Sequence, residues 1–153
     1  MEYSLRSATP NDLQTILAWV ESPDQLKLWG GPFLTFPPNI EKTWHEIEAT
    51  HQNTFTLLSS SGCIVGFGQT LSREPNAIHL GRIIVSPEFR GQGMGRLLCD
   101  NLIQICIQRF HPSKLTLNVN QSNIPAVSLY KALGFVIISE NKEQNSYFMT
   151  LSV

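Results

Sequence analysis

Apolar positions along the chain switch between two spacings, and each switch marks an element. Residues 3–6 alternate as a short strand. Thr9, Pro10 and Asp12 then read as an N-cap, a first-turn proline and an acid at helix position three. Leu13, Ile16, Leu17 and Val20 follow at helical spacing, which predicts a helix to about Val20. Ser22-Pro23-Asp24 repeats the start signal for a short helix stopped by Gly30-Gly31. Pro32, Pro37 and Pro38 keep residues 32–38 irregular, and Asn39 caps a third helix through Ile40, Trp44, Ile47 and Glu48.

After Thr54 the period becomes that of strands. Segments 55–59, 63–71 and 77–85, joined by turns at Ser60-Ser61-Gly62 and Glu74-Pro75-Asn76, predict an antiparallel meander. In the third of these strands Ile78, Leu80 and Ile84 alternate with Ala77, Ile83 and Val85, so both faces are apolar and the strand is central. A helix over 93–109 carries Met94, Leu97, Leu98, Leu102, Ile105 and Cys106 as its buried stripe. Next come a strand over 114–120, a helix over 124–133 stopped by Gly134, and a final hairpin of 135–139 with 147–151. The order is βααα-βββ-α-β-α-ββ, an α/β (α+β) pattern.

A length of 153 residues fits a single domain over 1–153, and 42% hydrophobic residues can fill its core. The formal charge of −1 leaves no basic footprint for nucleic acid. No apolar run approaches the roughly 20 residues of a membrane span, and Met1 to Arg6 has no basic, then apolar, leader pattern. A cytoplasmic protein is therefore expected. Cys63, Cys99 and Cys106 are too sparse for a disulfide framework and read as reduced core thiols. His45, His51 and His111 make no metal-ligand spacing, so no metal is expected.

The densest local signal is Val85-Ser86-Pro87-Glu88-Phe89-Arg90-Gly91-Gln92-Gly93-Met94-Gly95-Arg96, a central strand passing through glycines into a long helix. Glycines admit close backbone approach, and the free N–H groups of a helix start attract phosphate oxygens. A Walker A loop is excluded because Gly95 is followed by Arg96-Leu97 instead of Lys-Ser/Thr. A dinucleotide fingerprint is disfavoured by the Gly91-x-Gly93-x-Gly95 spacing and by the absence of an acid in 114–120. A purely structural glycine turn is the other reading of these residues.

Arg90-Gly91-Gln92-Gly93-Met94-Gly95 resembles the Arg/Gln-x-x-Gly-x-Gly/Ala motif of the GNAT superfamily of N-acetyltransferases, and the apolar strand before it, Leu80 to Val85, is where that family has one. Downstream, Asn123, Ala126, Leu129, Tyr130, Gly134 and Phe135 resemble the family's Asn-x-x-Ala-x-x-Leu-Tyr-x-x-x-Gly-Phe segment. The resemblance implies a mixed, twisted sheet of about seven strands flanked by helices. In it, acetyl-CoA as acetyl donor lies between splayed strands, here 77–85 and 114–120. It further implies that the main chain around Ile83, Ile84 and Val85 takes the pantetheine arm. Arg90, Gly91, Gln92, Gly93, Met94, Gly95 and Arg96 then hold the pyrophosphate, and Asn123 meets the arm from the facing helix.

By the same resemblance Tyr130 stands where the family places its general acid; a phenol of pKa about 10 is protonated at neutral pH. A packing tyrosine ahead of Gly134-Phe135 is the alternative. His79, eleven residues before Arg90, is the candidate base, titrating near pH 6.5 when unperturbed; a histidine satisfied on the sheet is its alternative. Asn118 stands where some members carry a catalytic glutamate, so no carboxylate base is expected there. Arg82, on an apolar face, either pairs with an acid or points at substrate. Trp29, Phe33 and Phe36 either wall the acceptor pocket or plug the core beside Trp44.

Two function classes follow. One is an acetyl-CoA-dependent N-acetyltransferase acting on a small-molecule amine or a protein amino group, by direct attack in a ternary complex. The other is a non-catalytic acyl-CoA-binding sensor or interaction module. The terminal hairpin leaves an edge strand that invites pairing, which points to a homodimer.

Overall fold

A computed structural model describes residues 2–153, so Met1, the first residue of the leader reading, lies outside the described residues. Seven strands and five α-helices follow in the predicted order. The strands are β1 (Tyr3–Ser7), β2 (Thr54–Ser59), β3 (Ile64–Glu74), β4 (Ala77–Val85), β5 (Lys114–Asn120), β6 (Val136–Asn141) and β7 (Ser146–Ser152). The helices are α1 (Leu13–Leu17), α2 (Pro23–Gly30), α3 (Ile40–Glu46), α4 (Met94–Phe110) and α5 (Ile124–Ala132). The strands form one mixed sheet in the order β1-β2-β3-β4-β5-β7-β6. Strands β4 and β5 run parallel, whereas β5 with β7 and β6 with β7 run antiparallel.

The chain divides into two compact units. One takes the chain as far as Gln69 together with Arg82–Met94, and the other takes Thr70–Gly81 and Gly95–Val153.

In the first unit the caps act as their residue types dictate. The Ser22 hydroxyl accepts the Gln25 N–H at 3.1 Å and the Asn39 side chain accepts that of Lys42 at 2.9 Å, satisfying donors that a helix start leaves free. Gly31, at φ 94°, ends α2 in a backbone conformation that favours glycine. Helix α1 stops earlier than the apolar spacing predicts. Trp19 and Val20 donate to Ile16 and Leu17, three residues back, and this tighter winding closes the helix at Leu17 while Val20 stays buried. Leu13, Ile16, Leu26, Trp29, Ile47 and Phe67 build the core of this unit, with Ile84 packed against it.

In the second unit β4 is buried on both faces from Ala77 to Leu80, as a central strand requires. Its parallel ladder with β5 covers four pairs, Ala77↔Lys114 to Leu80↔Leu117. Helix α4 buries Leu98, Cys99, Leu102 and Cys106. That stripe is turned from the expected one, taking in Cys99 and leaving Met94, Leu97 and Ile105 only partly covered. Strand β6, at the sheet edge, has all six residues exposed. No helix among the described residues is long and apolar enough to cross a membrane.

Candidate functional site

The glycine turn follows a short 3-10 turn, Pro87–Phe89, and delivers the chain into α4. Gly91 and Gly93 sit at φ 73° and 82°, a region where a Cβ is strained. Beyond the chain neighbours no heavy atom lies within 4 Å of where a Cβ would stand on either residue, so the left-handed backbone, not crowding, calls for glycine. Arg90 donates through Nε to the Val85 carbonyl at 3.1 Å, and the Gln92 amide donates to the Glu88 carbonyl at 3.0 Å. These side chains brace the turn's own backbone. Arg96, half exposed, stands 3.9 Å from Asp100 one helical turn on, a weak surface pair. Main-chain amides of Gly91 to Gly95 at the head of a 17-residue helix suit an oxyanion such as a diphosphate.

Strand β4 runs on past its ladder to Val85, and the change occurs at Arg82, a non-glycine residue at φ 49°. The left-handed backbone there breaks the alternation that put Arg82 on one face with Ile78, Leu80 and Ile84. Its guanidinium donates from Nε to the Gly30 carbonyl at 3.1 Å and from Nη1 to Gln69 Oε1 at 2.9 Å. These two partners are a main-chain carbonyl and a side-chain amide.

In the second unit the Asn123 side chain accepts the Ala126 N–H at 3.3 Å and starts α5. Two turns along, Tyr130 is buried against Phe135, ring centroids 6.0 Å apart and edge to face. Burial, with a smaller contribution from nearby Cys99, pushes the phenol well above its usual range. It is therefore fully protonated at neutral pH. His79 is buried on β4 opposite Thr116, whose hydroxyl lies 2.7 Å from Nδ1. Asn118, exposed on β5, is in register with Phe148 and lines a polar cavity of about 530 Å³ together with Ser139, Glu140 and Glu143. Sequence reasoning met Asn118 only as a missing carboxylate; the hairpin acids lie more than 20 residues away and became its neighbours only through the β5–β7–β6 pairing.

The three aromatic residues assigned to the acceptor separate. Trp29 is a core residue, packed on Phe67 with its indole N–H donating to the Arg82 carbonyl at 2.9 Å. Phe33 is 89% exposed and Phe36 46%. Their loop is pinned by Glu46, which accepts from the Thr35 N–H at 3.1 Å and hydroxyl at 2.7 Å. Those bonds hold the Glu46 carboxyl below its ordinary range. The expectation of three core thiols is corrected at Cys63, which is exposed just ahead of β3, whereas Cys99 and Cys106 are buried; all three are free. Among the described residues no group of His, Cys, Asp or Glu could hold a metal ion.

A seven-stranded mixed sheet with a glycine turn leading from β4 into α4 defines the class of acyl-CoA acyltransferase folds. Over 98% of this chain and 95% of the other, the fold matches the crystal structure of spermidine N-acetyltransferase from Vibrio cholerae in complex with CoA and spermine, with a TM-score of 0.79 at 20% identity. The model of the Acetyltransferase (GNAT) family matches residues 16–135, and the chain belongs to that family, whose enzymes are acetyl-CoA-dependent. Relatives by sequence include an N-acetyltransferase 9-like protein of Nematostella vectensis, 23% identical over 81% of this chain and 69% of its own length. A thialysine N-epsilon-acetyltransferase of Bos taurus is 34% identical over 55% of this chain and 54% of its own. The peptidyl-lysine N-acetyltransferase YjaB of Salmonella typhimurium is 31% identical over 42% of this chain, and the match spans only 40% of that relative's length.

Proposed function

We propose that this chain, acting as one domain, moves the acetyl group of acetyl-CoA to a primary amine of a small molecule or protein, by direct attack in a ternary complex. The observation that carries the reading is the turn at Gly91 and Gly93, left-handed and open, at the head of α4 in a member of this family. In this reading Arg90, Gly91, Gln92, Gly93, Met94, Gly95 and Arg96 bind the pyrophosphate. The main chain of Ile83, Ile84 and Val85 takes the pantetheine arm, and Asn123 meets it. Bound acetyl-CoA supplies a thioester whose carbonyl carbon is open to an amine.

Tyr130, protonated at neutral pH, gives its proton to the departing sulfur; burial raises the phenol's pKa and so makes it a weaker acid, and the role rests on the position of Tyr130 in the family motif. His79, steadied through Nδ1 by Thr116, takes the ammonium proton. No acetyl-enzyme is part of this reading: Cys63 lies just ahead of β3 and Cys99 and Cys106 on α4, none of them expected beside the thioester, and burial pushes the Cys99 and Cys106 thiols up to about 12.

Phe33 and Phe36 offer exposed ring faces to the body of a cationic amine. Trp29 supports them from the core. Glu140 and Glu143 on the polar cavity also suit a cation. Names of similar proteins, a spermidine and two lysine-type acetyltransferases, support primary amines as the acceptor class. In the cytoplasm the protein acts as a homodimer paired through β6, where Val136, Ile137 and Ile138 are exposed; a monomeric sedimentation coefficient would refute the dimer.

The deciding experiment is a thermal-shift titration with acetyl-CoA, CoA and ATP, followed by thiol release across a panel of amines. A ligand at 100 times its Kd stabilises the fold by about 2.7 kcal/mol. Shifts with both CoA species, none with ATP, and amine-dependent thiol are expected. Affinity without thiol release would leave an acyl-CoA-binding module instead.

A further inference from the structure

An arginine at φ 49° inside a strand occupies a conformation that residues with a Cβ adopt only when their surroundings hold them there. Arg82 is held at both ends. Its carbonyl accepts the Trp29 indole N–H at 2.9 Å. Its guanidinium donates to the Gly30 carbonyl at 3.1 Å and to Gln69 Oε1 at 2.9 Å, with the Ile47 carbonyl at 3.5 Å.

Gln69 is fully buried, and its amide is oriented by donating to the Ile47 carbonyl at 3.1 Å and to the Thr54 hydroxyl at 3.0 Å. That orientation leaves Oε1 for Arg82. Gly30 is the last residue of α2 and Ile47 caps the end of α3, so both carbonyls belong to helix ends that lack intrahelical donors and favour a cation. The excursion over residues 31–46, which carries Phe33 and Phe36, therefore leaves and re-enters the core at two points gripped by one guanidinium and its buried amide partner.

We propose that Arg82 is a positioning residue for the acceptor. By closing the base of this excursion it presents Phe33 and Phe36 in one place, and so sets acceptor recognition without taking part in donor binding. The kinetic consequence rests on the acetyl-transfer reading above; the positional one does not. Arginine is suited to the task because its planar fork serves several carbonyl oxygens at once, which a lysine ammonium on a flexible stem does less well.

The test compares Arg82→Met, Arg82→Lys and Trp29→Phe with the parent protein. Two readouts are taken: the rate of chymotryptic cleavage after Phe33, and the split between KM for a reactive amine and Kd for acetyl-CoA. Arg82→Met is expected to speed cleavage and raise the amine KM, each at least tenfold, with acetyl-CoA Kd within twofold of the parent. Arg82→Lys should fall between the two, a partial rescue that loss of packing alone would not give. If Arg82→Met does not fold, the lysine and Trp29→Phe variants still report, and both should show smaller changes in the same direction. Unchanged cleavage and amine KM would overturn the proposal, as would donor Kd rising in step with amine KM. A parent protein that neither shifts with acetyl-CoA nor releases thiol would defeat the transferase reading alone, and the cleavage rates would still decide the role of Arg82.

Discussion

A Cβ added to Gly30 would stand 2.1 Å from Leu34 Cδ1 and 3.1 Å from its Cγ, so Leu34 lies across a residue with room for hydrogen only. Leu34, partly buried, is packed against the core of the first unit, so an added methyl must push its side chain out of that packing. Gly30→Ala should therefore displace Leu34 and lower unfolding stability by about 1–3 kcal/mol, the usual cost of overpacking. Urea denaturation of the purified variant measures it; a midpoint equal to the parent's would show that the loop yields without cost.

Gly93 poses a different problem, since its surroundings are open and only its φ of 82° is special. Gly93→Ala should cost about 1–2 kcal/mol of backbone strain. Gly93→Val adds bulk where a pyrophosphate is to sit and should abolish acetyl-CoA binding by calorimetry. Normal binding by the valine variant would falsify the phosphate role of the turn.

Tyr130→Phe should lower turnover about 10²-fold or more, within the range for a proton-transfer group, while acetyl-CoA affinity changes little. The pH profile gives a second check. The phenol is held above its ordinary value, so it loses its proton only at pH above that of a free tyrosine. Turnover should consequently show no fall assignable to Tyr130 as pH rises toward 10. Equal turnover by the phenylalanine variant would return Tyr130 to a packing role.

Asp12 accepts from both Arg6 guanidinium nitrogens, at 2.7 and 3.0 Å, from the Thr9 N–H at 3.0 Å and from the Thr56 hydroxyl at 2.8 Å. Burial pulls its carboxyl up, but these bonds outweigh it and hold the group below its ordinary value. A lowered folded-state pKa contributes stability above the unfolded value of 3.8, lost as pH falls through the folded one. Asp12→Asn should be less stable than the parent at pH 7, by about 2 kcal/mol as expected for charged hydrogen bonds, and the gap should narrow below pH 4. Thermal melts at pH 7 and pH 3 test this.

Local chemistry made much of this fold legible in advance. Ser22 and Asn39 cap the helices they were read to cap, because a side-chain oxygen bonding an amide three residues on depends on nothing distant. The paired glycines announced a turn for the same reason. What the pattern misjudged depends on partners far along the chain. Arg82 looked like a member of a regular face because alternation assumes extended backbone, whereas its backbone is left-handed and its carbonyl accepts from Trp29, more than 50 positions away. Trp29 itself reads like Phe33 in the sequence, both being aromatic residues beside glycine and proline, yet one is core and the other exposed. Cys63 was misplaced because a hydrophobic residue type carries no information about a loop end. The polar cavity at Asn118 needed the register of three strands.

The turn at Gly91 and Gly93 also bears on how the protein is best handled. If the turn grips pyrophosphate with main-chain amides as proposed, with no P-loop lysine to grade its ligands, it answers mainly to the size and charge of an oxyanion. Inorganic phosphate and sulfate are small copies of that group. Donor affinities measured in phosphate buffer, or on protein carried over from ammonium sulfate, should come out weaker than those in a zwitterionic amine-free buffer, and the deficit should disappear on dialysis.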